Sequence, residues 1–352
     1  MKQKKEFKII ECQGTPYEIG RQWGERCREN MRQALAMTFG GIAFMHQASP
    51  EAIIANAVKY LPGLQAFDPD LADLIRGQAD GAGMKFEEAL ALKCGFDLGA
   101  YYQQLSGLCT SFAVTGSATR DGRTLLGQNI DWVPGTPLDL VRVTRPDGIT
   151  QLTLVLWGIA EYTLSSAGYG MCANSTWAAE PYRFSMPIGF YLPRAMRQQS
   201  LGQALEVLKE TARGLGYYVL ASAEGEIKGI ESTQEEYQIL EPERDFLVHS
   251  NHYLTERFKP IDLVNAVVPD SLCRVDRIKR LIEESHGELT REKMMEILSD
   301  HDGDPVAICR HGKPDDPYRS DSLASYVMLP ADRAFYIAYG NPCQYEYIEY
   351  KL

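Results

Sequence analysis

No apolar run in this chain approaches the ~18 residues that a membrane-spanning helix needs, so no span is expected. Eight cysteines lie at 12, 27, 94, 109, 172, 273, 309 and 343, and no two of them form a C-x-x-C pair. Their spacing is too wide and irregular for a disulfide framework, and most have apolar neighbours. That pattern reads as buried free thiols in a reducing compartment. No block of lysine and arginine stands out, and the formal net charge is -11. A nucleic-acid partner is therefore not expected. The basic opening, residues 1–5, leads into Glu6, Lys8 and Glu11 rather than an apolar stretch, so it does not read as a secretory signal, and the expected location is cytoplasmic. No repeat, low-complexity tract or linker divides the chain, so 1–352 reads as one domain.

What is present is ordinary globular composition, 45% hydrophobic and 24% charged. A short strand is expected at 7–12. Gly14-Thr15-Pro16 then opens a helix whose Ile19, Trp23, Cys27, Met31 and Leu35 recur every four residues. Helices continue over 50–98. Asp70 is the expected cap of one of them, and Gly77, Gly81 and Gly83 interrupt the pattern. From Cys109 the character changes. Strand-like runs follow at 110–118, 124–132, 139–145, 151–158, 162–166 and 168–175, a meander consistent with antiparallel pairing. Ser200-Leu201-Gly202-Gln203 has the form of a capping box. It opens a helix with Leu201, Ala204, Leu205, Leu208 and Ala212 inward and a stop at Gly214. Strands return at 216–222, 226–232, 236–240 and 246–250. Asp270 or Ser271 caps a helix with Leu272, Val275, Ile278 and Ile282 inward, a short helix spans 290–298, and strands close the chain at 324–329, 334–339 and 344–350. Helices segregated from long antiparallel runs predict an α+β fold.

Polar residues sit where strands should bury them. Cys109-Thr110-Ser111 opens one strand, behind a loop carrying Gly107. Gln128-Asn129-Ile130-Asp131 lies inside another. His249-Ser250-Asn251-His252 ends a third, and Ile308-Cys309-Arg310-His311 is the fourth cluster. An unpaired buried polar group costs about 1–3 kcal/mol and a charge more, so the economical expectation is that these groups satisfy one another around one site. Each has a plainer reading: a core thiol, turn hydrogen bonds for Asn129 and Asp131, a surface ion pair for Arg310. Two other catalytic readings stay open. One is a metal hydrolase using His249, His252, His301 and Asp302. The other is a papain-like pairing of Cys109 with His249 or His252, which would want the cysteine on a helix rather than a strand.

In this order the four clusters resemble the acyl-CoA:6-aminopenicillanic acid acyltransferase family. These are N-terminal-nucleophile (Ntn) hydrolases, related to penicillin V acylase and bile-salt hydrolase. The resemblance also takes in Gly14-Thr15-Pro16-Tyr17-Glu18-Ile19-Gly20 and the Gly77–Gly83 segment. It implies a four-layer αββα sandwich and a precursor that cuts itself between Leu108 and Cys109. The products would be a helical chain, 1–108, and a catalytic chain, 109–352, held together as a heterodimer. The freed α-amine of Cys109 would be the base for its own thiol. Asp131 would orient that amine, Asn251 would donate to the tetrahedral oxyanion with Asn174 as a second contact, and Arg310 would favour the thiolate. The implied chemistry is thioester formation from an N-acyl amide, with acyl-CoA as a further acyl source and no cofactor or metal. A non-catalytic binding protein on the same fold is the alternative from another class.

Overall fold

The computed structural model describes residues 2–103, 108–211, 216–313 and 320–352. The predicted Gly107 loop, Ala212 and the Gly214 stop lie outside them. Strand β1 (Ile9–Gln13) leads into seven helices: α1 (Pro16–Arg26), α2 (Arg28–His46), α3 (Pro50–Val58), α4 (Leu61–Phe67), α5 (Pro69–Ala82), α6 (Phe86–Lys93) and α7 (Gly95–Tyr101). Six strands follow: β2 (Leu108–Gly116), β3 (Gly122–Trp132), β4 (Leu138–Thr144), β5 (Thr150–Leu156), β6 (Ala160–Ser165) and β7 (Tyr169–Asn174). Helices α8 (Ile188–Met196) and α9 (Leu201–Thr211) precede β8 (Gly216–Ser222), β9 (Ile227–Ser232), β10 (Tyr237–Leu240) and β11 (Phe246–His249). The chain closes with α10 (Val264–Val267), α11 (Asp270–Glu284), α12 (Arg291–Leu298), β12 (Asp321–Leu329), β13 (Ala334–Ala338) and β14 (Ile348–Lys351).

The strands form two sheets, ordered β1-β4-β5-β6-β7-β8-β9-β10 and β11-β2-β3-β12-β13-β14. The predicted meander therefore splits, because β2 and β3 centre the second sheet while β4 to β7 run through the first. Pairing between named strands is antiparallel except for β1 with β4, which is parallel. Alternation along each strand builds the layers. Leu140, Leu152, Leu154 and Leu164 of the first sheet share one core with Ala113, Leu126, Ile130 and Met328 of the second. On the far side of the first sheet, Val141, Val143 and Val155 join Ile19, Trp23, Ile75 and Leu90 of the N-terminal helices. On the far side of the second, Phe112, Val114 and Val327 join Val275, Ile278 and Met294 of α11 and α12. The fold is α+β, helices outside and two sheets face to face.

Three local expectations change. Asp68, not Asp70, caps α5, accepting from the Leu71 N–H at 3.1 Å, with Pro69 as the first helical residue. Gly77 and Gly81 lie inside α5 rather than interrupting it. A Cβ on Gly77 would stand 2.1 Å from the Tyr17 carbonyl oxygen, and one on Gly20 of α1 would stand 2.0 Å from that of Leu74. The glycines let two helices cross with their backbones in contact, and the helix ends at Gly83 with φ +62. On α11 the inward face is Ser271, Arg274, Val275, Ile278 and Ile282, while Leu272 is exposed and no side chain caps the helix.

Candidate active site

Cys109 enters β2 opposite Ile130 of β3, and Leu108 stands opposite Asp131. Alternation along β2 turns Ser111 and Ala113, and Cys109 with them, between the sheets. Cys109 lines a small cleft whose walls include Phe96, Trp132, Ile159, Tyr162, Asn174 and Ile188.

Side chains hold the Cys109 backbone on both polar atoms. Its N–H donates to Asn251 Oδ1 at 2.8 Å. Its carbonyl accepts from Arg274 Nη1 at 2.8 Å and from Ser250 Oγ at 2.9 Å. Arg274 also donates to Thr110 Oγ1 at 2.8 Å and, through Nη2, to Asn251 Oδ1 at 2.9 Å. A backbone N–H and a guanidinium can only donate, so the group they share must be the amide oxygen of Asn251. The other end of that amide donates to the Ser175 carbonyl at 2.9 Å and to Ser175 Oγ at 3.2 Å. Both ends of Asn251, the expected oxyanion donor, are thus engaged, its nitrogen with Ser175 and its oxygen with the Cys109 N–H and Arg274. Asn174 differs. Its Oδ1 accepts from Ser111 Oγ at 2.6 Å, while its Nδ2 is buried with no partner among the described residues.

Asp131 accepts from Ser322 Oγ at 2.6 Å through Oδ1, and its Oδ2 is likewise buried with no partner among the described residues. Burial raises its carboxyl to about 6, against the pull of Arg310, Arg274 and the Ser322 hydrogen bond. Arg310 pairs with Asp270, whose Oδ2 also accepts from Arg274 Nε at 2.9 Å. Alternating charges therefore run from Asp131 through Arg310 and Asp270 to Arg274. The Cys109 thiol is pushed up to about 12, first by burial and then by the Asp131 charge. Hydrogen bonds from the Asp131 N–H and the Tyr162 hydroxyl, and the charge of Arg274, only partly offset this. Such a thiol stays protonated near neutrality and needs a proton acceptor beside it.

Neither histidine supplies one. His249 spends its ring nitrogens on the Ser250 carbonyl at 2.8 Å and on Glu231 Oε1 at 2.9 Å. His252 Nδ1 meets Ser271 Oγ at 2.7 Å. Among the described residues neither ring hydrogen-bonds the Cys109 thiol. The His249, His252, His301 and Asp302 metal cluster does not assemble, because Asp302 pairs with Arg277 and Arg280 while His301 meets His311. What the His249–Glu231 pair does is hold the loop that carries Asn251. Glu231 also accepts from the backbone N–H groups of Leu254 and Thr255 and from the Thr255 hydroxyl. Burial alone would raise the Glu231 carboxyl, but these hydrogen bonds and His249 outweigh it and hold it below the usual range. Glu231→Ala is expected to destabilise the fold by about 3–5 kcal/mol in chemical denaturation, with Glu231→Gln losing less. The lowered value sets the sign of the pH effect. The stabilisation is present above the ordinary carboxylate range and lost as pH falls through the folded-state value.

Arg274, Glu231, Tyr162 and Ser175 escaped the sequence reading. Arg274 alone left a signal there. Phasing α11 on Val275, Ile278 and Ile282 puts 271 and 274 inside and 272 outside, so a buried arginine was implied.

A strand-borne cysteine and paired buried polar groups meet here in a two-sheet α+β scaffold. The sequence profile of the family described as acyl-coenzyme A:6-aminopenicillanic acid acyl-transferase matches residues 118–344, and this chain belongs to that family. It is similar to an uncharacterized protein of Archaeoglobus fulgidus, 24% identical over 344 residues. That match covers 82% of this chain and 57% of the archaeal protein, so the chain spans little more than half the length of that relative. The 40 kDa form of the acyl-coenzyme A:6-aminopenicillanic-acid-acyltransferase of Emericella nidulans is 24% identical over 344 residues, covering 95% of this chain and 92% of its own. Among solved structures, a variant of conjugated bile acid hydrolase from Clostridium perfringens aligns with TM-score 0.41 and 12% identity, over 69% of this chain and 97% of that one. Penicillin V acylase from Agrobacterium tumefaciens aligns with TM-score 0.45 and 11% identity, over 66% and 83%. Among the described residues, no helix is long and apolar enough to cross a membrane.

Proposed function

We propose that this chain is a cysteine amidohydrolase or acyltransferase that activates itself by cutting the Leu108–Cys109 bond. The Cys109 sulfur attacks the Leu108 carbonyl carbon. The C–N bond breaks, the nitrogen takes up the thiol proton and leaves as an amine, and Leu108 is left as a thioester. Water then releases a Leu108 carboxylate and the free thiol. In turnover the new amine accepts the thiol proton, the sulfur takes an acyl group from an N-acyl substrate, and water or a second amine resolves the thioester.

The observation that carries this reading is the hold on the Cys109 main chain beside a partnerless carboxylate oxygen. Asn251 holds the nitrogen, Arg274 and Ser250 hold the carbonyl, and Asp131 Oδ2 is buried with nothing to accept among the described residues. A structural strand residue requires none of this, whereas a new ammonium at Cys109 would be met by both Asn251 and Asp131. The two products would stay together as a heterodimer, since β1 of residues 1–108 pairs along β4 and the N-terminal helices are packed on the first sheet.

The cleft walls bear on the acyl group. A second cleft of about 740 Å³ shares Phe96, Trp132 and Ile159 with the first, and no charged side chain lines either of them within the described residues. That apolar lining suits an apolar acyl group, and the phosphates of an acyl-CoA would have to lie elsewhere.

The test is intact mass followed through pH, then a panel of N-acyl amides with released amine measured. Fragments of ~12 and ~27 kDa are expected from the 39.5 kDa chain, in proportion to 108 and 244 residues. In the uncut chain the Asp131 carboxylate relays the thiol proton to the departing nitrogen, so its carboxyl, raised to about 6, sets the acid limit of cutting. Its folded value lies above the usual 3.8, so stability falls as pH rises through that window, and the uncut chain holds a buried carboxylate at a cost of about 3 kcal/mol near neutrality. Cutting is expected to slow as pH drops below about 6. The acid limb of turnover is expected higher, because the Cys109 amine must be neutral to accept the thiol proton, and an α-amine has a reference pKa of about 7.7–8.0. A chain that stays whole at every pH and releases no amine would leave the binding-protein reading standing.

A further inference from the structure

Two cysteines and two histidines from three separate segments meet beside the site without taking part in its chemistry. They are His301, Cys309, His311 and Cys343, and their ligand atoms all lie within 4.8 Å of one another. His301 Nε2 is 3.2 Å from His311 Nε2, and His311 Nε2 is 3.6 Å from Cys309 Sγ and 3.2 Å from Cys343 Sγ. The two sulfurs are 3.6 Å apart, not bonded to each other. A tetrahedron with Zn–S of about 2.3 Å and Zn–N of about 2.0–2.1 Å has edges of roughly 3.3 Å between nitrogens, 3.6 Å between nitrogen and sulfur and 3.8 Å between sulfurs. These four edges fall close to those lengths. Four polar groups collected only to fill space would not converge on one point at coordination spacing.

We propose that His301, Cys309, His311 and Cys343 bind one Zn²⁺ in a closed tetrahedral Cys₂His₂ site. Two soft sulfurs and two imidazole nitrogens are the donor set that selects zinc from the common divalent ions, and four protein ligands leave no open position, which makes the ion structural. Binding displaces one proton from each thiol, so the ion and its two thiolates carry no net charge.

The three segments are already tied together. Arg277 holds Asp300, the neighbour of His301, with Nε to Oδ1 at 3.0 Å and Nη2 to Oδ2 at 2.7 Å. The Asp300 carbonyl accepts from the Cys309 N–H at 3.0 Å. Asn341, two residues before Cys343, donates from Nδ2 to the Arg310 carbonyl at 2.6 Å. Arg310 stands between two of the ligands, and its guanidinium reaches Asp270 and acts on Asp131. The ion would pin the backbone on either side of the arginine whose charge acts on the Asp131 carboxyl. The proposal does not depend on thiol chemistry at Cys109. It also departs from the metal-free expectation, and from the metal reading that gave His301 the wrong partners in the chain.

The test uses the full-length, tag-free chain under reducing conditions. Elemental analysis is expected to find one zinc per chain. Cobalt(II) added to the zinc-stripped protein is expected to give the intense visible bands of a tetrahedral thiolate site, and one equivalent of zinc to abolish them. Cys343→Ser and His301→Ala are expected to bring zinc well below one per chain. Cys273→Ser, an exposed thiol outside the cluster, is expected to keep it. If a variant fails to fold, the cobalt titration of the unsubstituted chain still decides. Absence of both zinc and the cobalt bands overturns the proposal. So does full zinc content in Cys343→Ser, or a Cys309–Cys343 disulfide found by thiol counting in protein purified with zinc present.

Discussion

Cys109→Ala is expected to yield a single uncut chain of 39.5 kDa with no turnover on any N-acyl amide. The substitution removes the only atom proposed to attack the Leu108 carbonyl and the only one proposed to carry the acyl group, so both activities disappear together. The fold is expected to survive. The strand register opposite Ile130 and the hydrogen bonds of Asn251, Arg274 and Ser250 all use the Cys109 backbone, which alanine keeps. Electrophoresis and mass read the first effect, and a thermal melt close to that of the unsubstituted chain shows that unfolding is not the cause. A Cys109→Ala protein that is still cut at 108–109 would end the self-cleavage reading. One that is uncut yet still releases amine would end the reading of Cys109 as nucleophile.

Asn174→Ala is expected to lower kcat by ~10²–10³ with little change in KM, the loss of about 2.7–4 kcal/mol typical of one oxyanion donor. Asn174 stands at the cleft wall with its Nδ2 partnerless among the described residues and its other end fixed by Ser111. A buried donor left without a partner costs free energy in the resting enzyme, and an oxygen that gains negative charge in the transition state would recover it. Asn251→Ala behaves differently on this geometry. It leaves the Cys109 N–H and Arg274 Nη2 without their shared acceptor, so the first loss is in the yield of cut chain. Kinetics on the cut fraction separate the two. If Asn174→Ala turns over at the unsubstituted rate while cut Asn251→Ala loses kcat, the oxyanion role returns to Asn251.

The membership of the site was more legible in the chain than its wiring. Asp131 inside an apolar strand, and Asn251 and Arg310 at the ends of apolar runs, stood out because burial makes an unsatisfied polar group expensive. Gln128 and Asn129 stood out equally but bond elsewhere, Gln128 accepting from the Ala173 N–H and Asn129 donating to the Leu298 and Ile308 carbonyls. The α+β class was legible because helical and extended periodicities occupy separate stretches. Which groups pair was not. Cys109 meets Asn251 across 142 residues of chain and Arg274 across 165, and local pattern says nothing at that range. Gly77 and Gly81 read as breaks because a glycine's local preference is the same whether a helix ends there or a neighbouring helix presses on it. Which end of Asn251 faces the cysteine was not legible either, because an amide has a donor end and an acceptor end and only its neighbours decide between them. In the chain His301 reads with other partners, and Cys309 and His311 as part of a polar cluster; only the folding of three loops to one point brings them together with Cys343. Residue type fixes which interactions a side chain can make, while the distance between atoms far apart in sequence, set by how the two sheets and their helices stack, decides which it does make.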